Sequence, residues 1–385
     1  GWLGLHLGLI SVTASRDELA SVLAHELSHV TQRHISRLIT QEKRQTPLVI
    51  GAMILGALAA SKSPDAANAV VAGSQALAIQ NQLNFSRDME READRIGYGV
   101  LTQAGFEPQG FVTMFEKLQQ AARLNDNGAF PYLRTHPMNT ERMADMQSRQ
   151  QLAGRASASA GPGLEHVMMA ARARVLSNSG VDALRAQVKE AETAAAQPRV
   201  RQAGTLYAAA LASGKLRNKE AAAQLAARLI PVTQGDAKAA RLAQLLAAEL
   251  ALIEGDATGA LVLAGALANG RPELLFAAQA ELQSSRAPAA VQRLQTWVAL
   301  HPRDATAWQL LSSAYTAQGQ TLRAIRADAE AQVAWLDYAA AMDRFKAAQE
   351  LVRKNGAGND HIEASIIDTR ARQVELLLRE QALER

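Results

Sequence analysis

The stretch "SRDELASVLAHELSHVTQRH", Ser15 to His34, decides how the first part of the chain folds. "SRDE" is a capping box: the Ser15 hydroxyl can accept the N–H three residues on, while Glu18 reaches back to a free N–H. Leu19, Val22, Leu23, Leu27 and Val30 then recur at helical spacing, and the pattern predicts a helix running to about Pro47. On such a helix His25 and His29 are four residues apart and about 40° from each other. Both imidazoles can then reach one tetrahedral Zn2+ at about 2.0–2.1 Å. Glu26 projects into the apolar stripe, where a carboxylate is costly to bury unless it is satisfied or useful. Beside a metal it is useful, as a general base toward water. The plainer alternative is a satisfied histidine pair on a surface helix.

A catalytic zinc needs a third protein ligand and one open position. Downstream, "RDMEREADRIG" offers Asp88, Glu90, Glu92 and Asp94. Glu90 and Asp94 share a helix face, so one can bind metal while the other orients a ligand histidine. Glu92 points about 200° away from Glu90, among Arg91 and Arg95, and reads as a solvated partner. His34 lies about 220° round the helix from His29, which suits a structural or supporting role rather than ligation. His6, His166, His301 and His361 have no metal-ligand spacing and read as ordinary.

Composition narrows the rest. A chain of 385 residues exceeds one ordinary domain. It is rich in Ala and Leu and only 4% aromatic, which favours packed helices over β-sandwiches. The net charge is +4 and the basic residues are scattered, so nucleic-acid binding has little support. There is no cysteine, hence no disulfide and no thiolate metal site. No stretch reads as a signal peptide, and the start at "GWLGLHLGLI" without Met suggests a missing N-terminus. The longest apolar run, "PLVIGAMILGALAA" from Pro47 to Ala60, is too short to cross a bilayer, which takes about 20 residues. It reads as a buried helix or, alternatively, as an apolar flap or surface that meets lipid or substrate.

Four further elements are expected. Leu3, Leu5, Leu7 and Leu9 alternate with Gly4, His6 and Gly8, which predicts a short strand whose accessible edge could receive substrate as an added strand. A helix should open at Ser86, with Asp88 in its first turn and Gly105 just past its end. Another should run from about Pro108 to Leu124. "RTHPMNTERMADM" reads as a turn around Pro137 into a helix capped by Asn139 or Thr140.

The small-residue stretch "GRASASAGPG" is the best boundary in the chain. The expected division is a protease domain over 1–153, a linker over 154–164 and a repeat domain over 165–385. Trp308, Leu311, Tyr315, Gly319, Ala324 and Ala331 fall at tetratricopeptide spacing, with Ser312 in place of a glycine. Ala278, Ala290, Trp297 and Pro302 continue the register upstream, and weaker units surround Gly204, Tyr207, Ala248, Gly255 and Ala260. Such repeats stack as helix pairs into a solenoid with a concave binding face. The last stretch, "HIEASIIDTRARQVELLLREQALER", reads as an amphipathic capping helix.

"HELSHVTQRH" followed about sixty residues later by "EREAD" resembles the gluzincin family of the heat-shock protease HtpX and the CAAX prenyl proteases. The resemblance implies a mainly α chain: a zincin-type metalloprotease domain with a short β element, then the tetratricopeptide α-solenoid. It implies that Glu90 is the third zinc ligand, that Asp94 supports the ligands from behind, and that His136, in "THP", faces the metal. His136 would be either a fourth ligand that plugs the site or a stabiliser of the oxyanion. The function implied is a zinc endopeptidase in periplasmic quality control of outer-membrane proteins. Its partners would be unfolded or misassembled outer-membrane proteins, with the repeats docking assembly machinery. The rival reading is a chaperone or assembly factor with a latent, self-plugged zinc site. Transmembrane helices carried by relatives of the heat-shock protease are not seen in this sequence.

Overall fold

The computed structural model describes residues 3–60, 64–123, 136, 140–152, 161–266, 270–355 and 360–383. Contacts divide the chain into two units, residues 1–179 and 180–385. Among the described residues the regular elements are all helical. None of these helices is long and apolar enough to cross a membrane.

The first unit holds α1 (Leu7–Val12), α2 (Arg16–Thr31), α3 (His34–Ala60), α4 (Pro64–Gln103), α5 (Gln109–Arg123), α6 (Thr140–Leu152) and α7 (Leu164–Ser177). The cap of α2 forms as its sequence dictates, with the Ser15 hydroxyl accepting from the Glu18 N–H at 3.2 Å. The Glu18 carboxylate reaches one residue beyond a simple capping box and accepts from the Ala14 N–H at 2.6 Å. Lys117 of α5 donates to the same carboxylate at 2.6 Å and to the Val12 carbonyl at 3.1 Å, which ties α5 to the entry of α2. Behind α2 lies a core of Val22, Ala24, Leu101, Phe111, Phe115, Leu118, Met143 and Met146, contributed by α2, α4, α5 and α6. Burial of each large member contributes about 1.5–3 kcal/mol, so α4, α5 and α6 are pinned around the helix that carries the histidines.

Local signals and structure part company in four places. The strand expected over Leu3 to Ile10 is not there: Leu7–Val12 is helix α1, so Leu7 and Leu9 line no strand edge, and Leu5 lies in irregular chain before it. A lone strand has nothing to pair with among the described residues, whereas α1 packs on α7 and Leu9 reaches the core behind α2. The helix expected to continue to Pro47 stops at Thr31, because Arg33 takes a left-handed φ of 53° before α3 begins. Pro47 then sits inside α3, and the apolar run, read as a buried helix or alternatively as an apolar flap or surface, exposes Ile50, Met53, Ile54 and Leu55. Ser86 caps nothing, since α4 starts at Pro64 and passes straight through it. Packing of α3 along α4 outweighs the weak local preference of Ser86 and Asp88 for a helix start. The end of α4 is as expected: Gly105 has a φ of 77°, and the Phe106 N–H returns to the Leu101 carbonyl at 3.2 Å.

The expected linker lies outside the described residues except for 161–164, of which Leu164 already opens α7; Pro137 and Asn139 lie outside them as well. Helix α7 packs against α1 and belongs to the first unit. His166 of α7 anchors this contact, its Nε2 lying 2.9 Å from the Thr13 carbonyl and 3.2 Å from the Thr13 hydroxyl.

The second unit comprises α8 (Val181–Glu190), a 3-10 segment (Ala191–Ala196), α9 (Arg199–Lys215), α10 (Lys219–Thr233), α11 (Ala237–Glu254), α12 (Ala257–Gly265), α13 (Arg271–Gln283), α14 (Ala287–Leu300), α15 (Ala305–Ala317), α16 (Thr321–Ala334), α17 (Tyr338–Asn355) and α18 (His361–Leu383). From α9 on, each helix packs on the next, and α9, α11, α13 and α15 also touch in succession. Trp308, Leu311, Tyr315, Ala324, Ala331, Ala278 and Ala290 are buried in one cluster. The Trp308 indole donates to the Pro302 carbonyl at 3.0 Å, and the Ser312 hydroxyl donates to the Ala324 carbonyl at 2.8 Å, so the serine in the glycine position joins α15 to α16.

Candidate metal centre

Four side chains from three places in the sequence converge in the first unit. One ligand atom each of His25, His29, Glu90 and His136 lies within 4.8 Å of the others. Two of the residues come from α2 and one from α4, and these helices can lie close because α4 carries Gly97 where a Cβ would meet the His25 nitrogen at 3.0 Å. His25 is almost wholly buried, His29 and His136 are partly open, and Glu90 is buried.

The distances fit a zinc ion. Bonds of about 2.0–2.1 Å in a tetrahedron set ligand atoms about 3.3–3.4 Å apart. His25 Nε2 and His29 Nε2 are 3.0 Å apart, His29 Nε2 and Glu90 Oε1 3.3 Å, and His25 Nε2 and Glu90 Oε2 3.6 Å. Two imidazoles and one carboxylate, with no thiolate anywhere in the chain, form a donor set of the catalytic zinc type.

Behind these groups stands a buried charge network. Asp94, one turn after Glu90 on α4, has Oδ1 2.8 Å from His25 Nδ1. Arg142 of α6 donates to both Asp94 oxygens, at 2.6 and 2.8 Å, and its third nitrogen lies 2.9 Å from Glu90 Oε2. Burial pulls the His25 pKa down, but hydrogen bonds and charge from Asp94 and Glu90 prevail and raise it to about 9. Burial works against the Glu90 and Asp94 carboxylates as well. His25, His29 and Arg142 around Glu90, and Arg142 with His25 around Asp94, nevertheless hold both below the ordinary carboxylate range. Both carboxylates are therefore held as anions beside the histidine donors.

Glu26 follows His25 on α2, and its Oε1 lies 3.4 Å from His136 Nε2. Burial holds His136 below the ordinary imidazole value, against the opposing pull of the Glu90 and Glu26 carboxylates. Sequence reasoning placed His34 behind the site without saying what it touches. The break at Arg33 turns α3 back, and His34 Nδ1 comes 2.9 Å from His29 Nδ1. Glu92, read as solvated, lies 3.3 Å from His34 Nε2 and accepts from Arg37 at 2.8 Å. No local spacing in the sequence singles out Arg142, which bridges both carboxylates.

Residues 1–150 match the family described as Peptidase family M48. Over these residues the chain is similar to the M48 peptidases. It is 40% identical over 145 residues to the β-barrel assembly-enhancing protease of Escherichia coli, covering 38% of this chain and 30% of the relative. It is similarly 39% identical over 145 residues to the protein of that name in Yersinia pestis, with the same two shares of 38% and 30%. A mitochondrial metalloendopeptidase of Arabidopsis thaliana, OMA1, is 32% identical over 142 residues, covering 37% of this chain and 26% of the relative. The chain thus spans about a third or less of the length of these curated relatives. Zinc is the metal of the M48 peptidases, in accord with the donor set described above.

Proposed function

We propose that this protein is a zinc endopeptidase joined to a protein-binding array of tetratricopeptide repeats, acting in the periplasm on outer-membrane proteins that are unfolded or misassembled. The observation that carries the reading is the convergence of the His25, His29 and Glu90 donors with Glu26 beside them. His25, His29 and Glu90 would hold the metal. Bound there, zinc would supply Lewis acidity, polarising a peptide carbonyl and making water more acidic. Glu26 takes the proton released from water and delivers it to the leaving amine. Asp94, fixed by Arg142, holds the His25 ring so that Nε2 faces the other donors.

The substrate class and compartment rest on the similarity to the two assembly-enhancing proteases. The repeat reading is supported by the buried Trp308, Leu311, Tyr315, Ala324 and Ala331 and by the succession of packed helix pairs. One observation favours a second reading, an assembly factor with a latent site. His136 shares the donor cluster, so it could fill the position that a catalytic zinc leaves open.

The test uses zinc-loaded wild type and Glu26→Gln on an unfolded outer-membrane protein. The amide is nearly isosteric but cannot accept the proton, so zinc content should be unchanged while the rate falls by roughly 10²–10⁴-fold. Wild-type turnover in Glu26→Gln, or wild-type protein that retains no zinc, would overturn the proposal.

A further inference from the structure

We infer that His34 is a positioning residue for His29, fixing which ring nitrogen of His29 faces the metal through a relay anchored by Glu92 and Arg37. The inference rests on the zinc site proposed above.

The argument starts from hydrogen-bond directions. His29 Nε2 faces His25 Nε2 at 3.0 Å and Glu90 Oε1 at 3.3 Å, so Nε2 is the atom offered to a metal and must carry no proton when it binds. A neutral imidazole then has its proton on Nδ1. That atom points at His34 Nδ1, 2.9 Å away. Of two facing ring nitrogens only one can donate, so His34 Nδ1 must accept. The His34 proton is thereby placed on Nε2, which lies 3.3 Å from Glu92 Oε2. A carboxylate accepts and does not donate, and Glu92 Oε2 is also held by Arg37 Nη1 at 2.8 Å. Each step leaves one arrangement: Arg37 and His34 donate to Glu92, and His29 donates to His34.

The relay is built into the fold. The left-handed Arg33 breaks the helix, without which His34 would point away from His29. His34 is 2% exposed and packs its ring edge-on to His29 with centroids 4.8 Å apart, so it has little freedom to leave. His34 is no ligand itself, because its Nδ1 is spent on His29 and its Nε2 on Glu92. The site consequently has two supports of different kinds: a carboxylate, Asp94, behind His25, and an imidazole backed by a carboxylate behind His29.

The experiment measures zinc affinity by chelator competition in the full chain, together with melting of the metal-free proteins. Loss of such a support typically weakens metal binding 10–100-fold. We expect a drop of roughly that size for His34→Ala. His34→Gln should recover part of it, because a side-chain carbonyl can still accept from His29. Glu92→Gln, at a more exposed position, should weaken zinc by a smaller factor without shifting the metal-free melt. Nitrogen NMR of the zinc-loaded wild type should show His29 protonated at Nδ1. Unchanged zinc affinity in both His34→Ala and Glu92→Gln, or a His29 proton on Nε2, would overturn the relay. A His34→Ala that fails to fold leaves Glu92→Gln and the NMR assignment to decide. Failure of the underlying site looks different: there, His29→Ala and Glu90→Gln would bind zinc as the wild type does.

Discussion

His136 stands with its ring centroid 5.5 Å from that of His25 and 5.3 Å from that of His29, and its Nε2 is 3.4 Å from Glu26. An imidazole in that place can act in two ways. As a fourth ligand it excludes water and restrains the general base, so its removal should raise basal activity. As a stabiliser of the oxyanion it should lower activity when removed. Its membership of the donor cluster favours the plug. We expect His136→Ala to raise basal peptidase activity roughly tenfold, equivalent to about 1.4 kcal/mol of bias towards the plugged arrangement. The same assay as for Glu26→Gln serves, and activity at or below wild type would sink the plug. At this scale much of the site was legible. The spacing of His25 with His29, and of Glu90 with Asp94, converts directly into shared helix faces. The contacts of His34 and Arg142 were not, because one depends on a helix break and the other on the approach of a distant helix.

At the scale of elements, α2 is held by glycines on its neighbours. A Cβ on Gly110 would sit 2.4 Å from the Asp17 carbonyl carbon and oxygen, and one on Gly97 would sit 3.0–3.1 Å from backbone atoms of Ala24 and His25. Backbone cannot swing aside as a side chain can. Gly110→Ala should therefore cost about 1–3 kcal/mol of stability by overpacking. Gly97→Ala should move α4 from α2 by a few tenths of an ångström and weaken zinc binding, since these helices carry Glu90 and the two histidines. Gly99, with nothing within 4 Å of an added Cβ, is the control. There, alanine in the interior of a helix should stabilise by about 0.5–1 kcal/mol. Melting curves with zinc titrations check all three, and unchanged affinity in Gly97→Ala would refute the close-packing argument. Helix ends were read less well than helices. The αL glycine after α4 is a strong local signal and was legible at Gly105. The break at Arg33 has no glycine to announce it, and the passage of α4 through Ser86 is decided by its packing on α3.

For the whole molecule the question is which pieces stand alone. Composition marks a boundary at "GRASASAGPG", but composition is blind to what the next helix packs on. Helix α7 packs on α1, with His166 fastened to Thr13, and the contact division falls after Ser179. In the second unit the deeply buried carboxylates find their partners inside the unit: Glu273 pairs with Arg241 at 2.6 Å, Glu281 with Arg293 at 2.7 Å and Glu330 with Arg370 at 2.6 Å. Stacked helix pairs gain stability from nearest neighbours, so such a unit needs no distant contact to fold. We therefore expect a fragment of residues 180–385 to melt cooperatively and to keep its helix content. Extending it back to residue 165 should leave its melting temperature nearly unchanged. The opposite holds for the protease side: trimming a 1–179 fragment to 1–163 removes the partner of α1 and should lower its melting temperature by several degrees, with about 1 kcal/mol moving a domain of this size by about 2–4 °C. Circular dichroism melts of the four fragments decide the matter. An unfolded 180–385 fragment, or a 1–163 fragment as stable as 1–179, would show that α7 does not belong with the metal-binding unit.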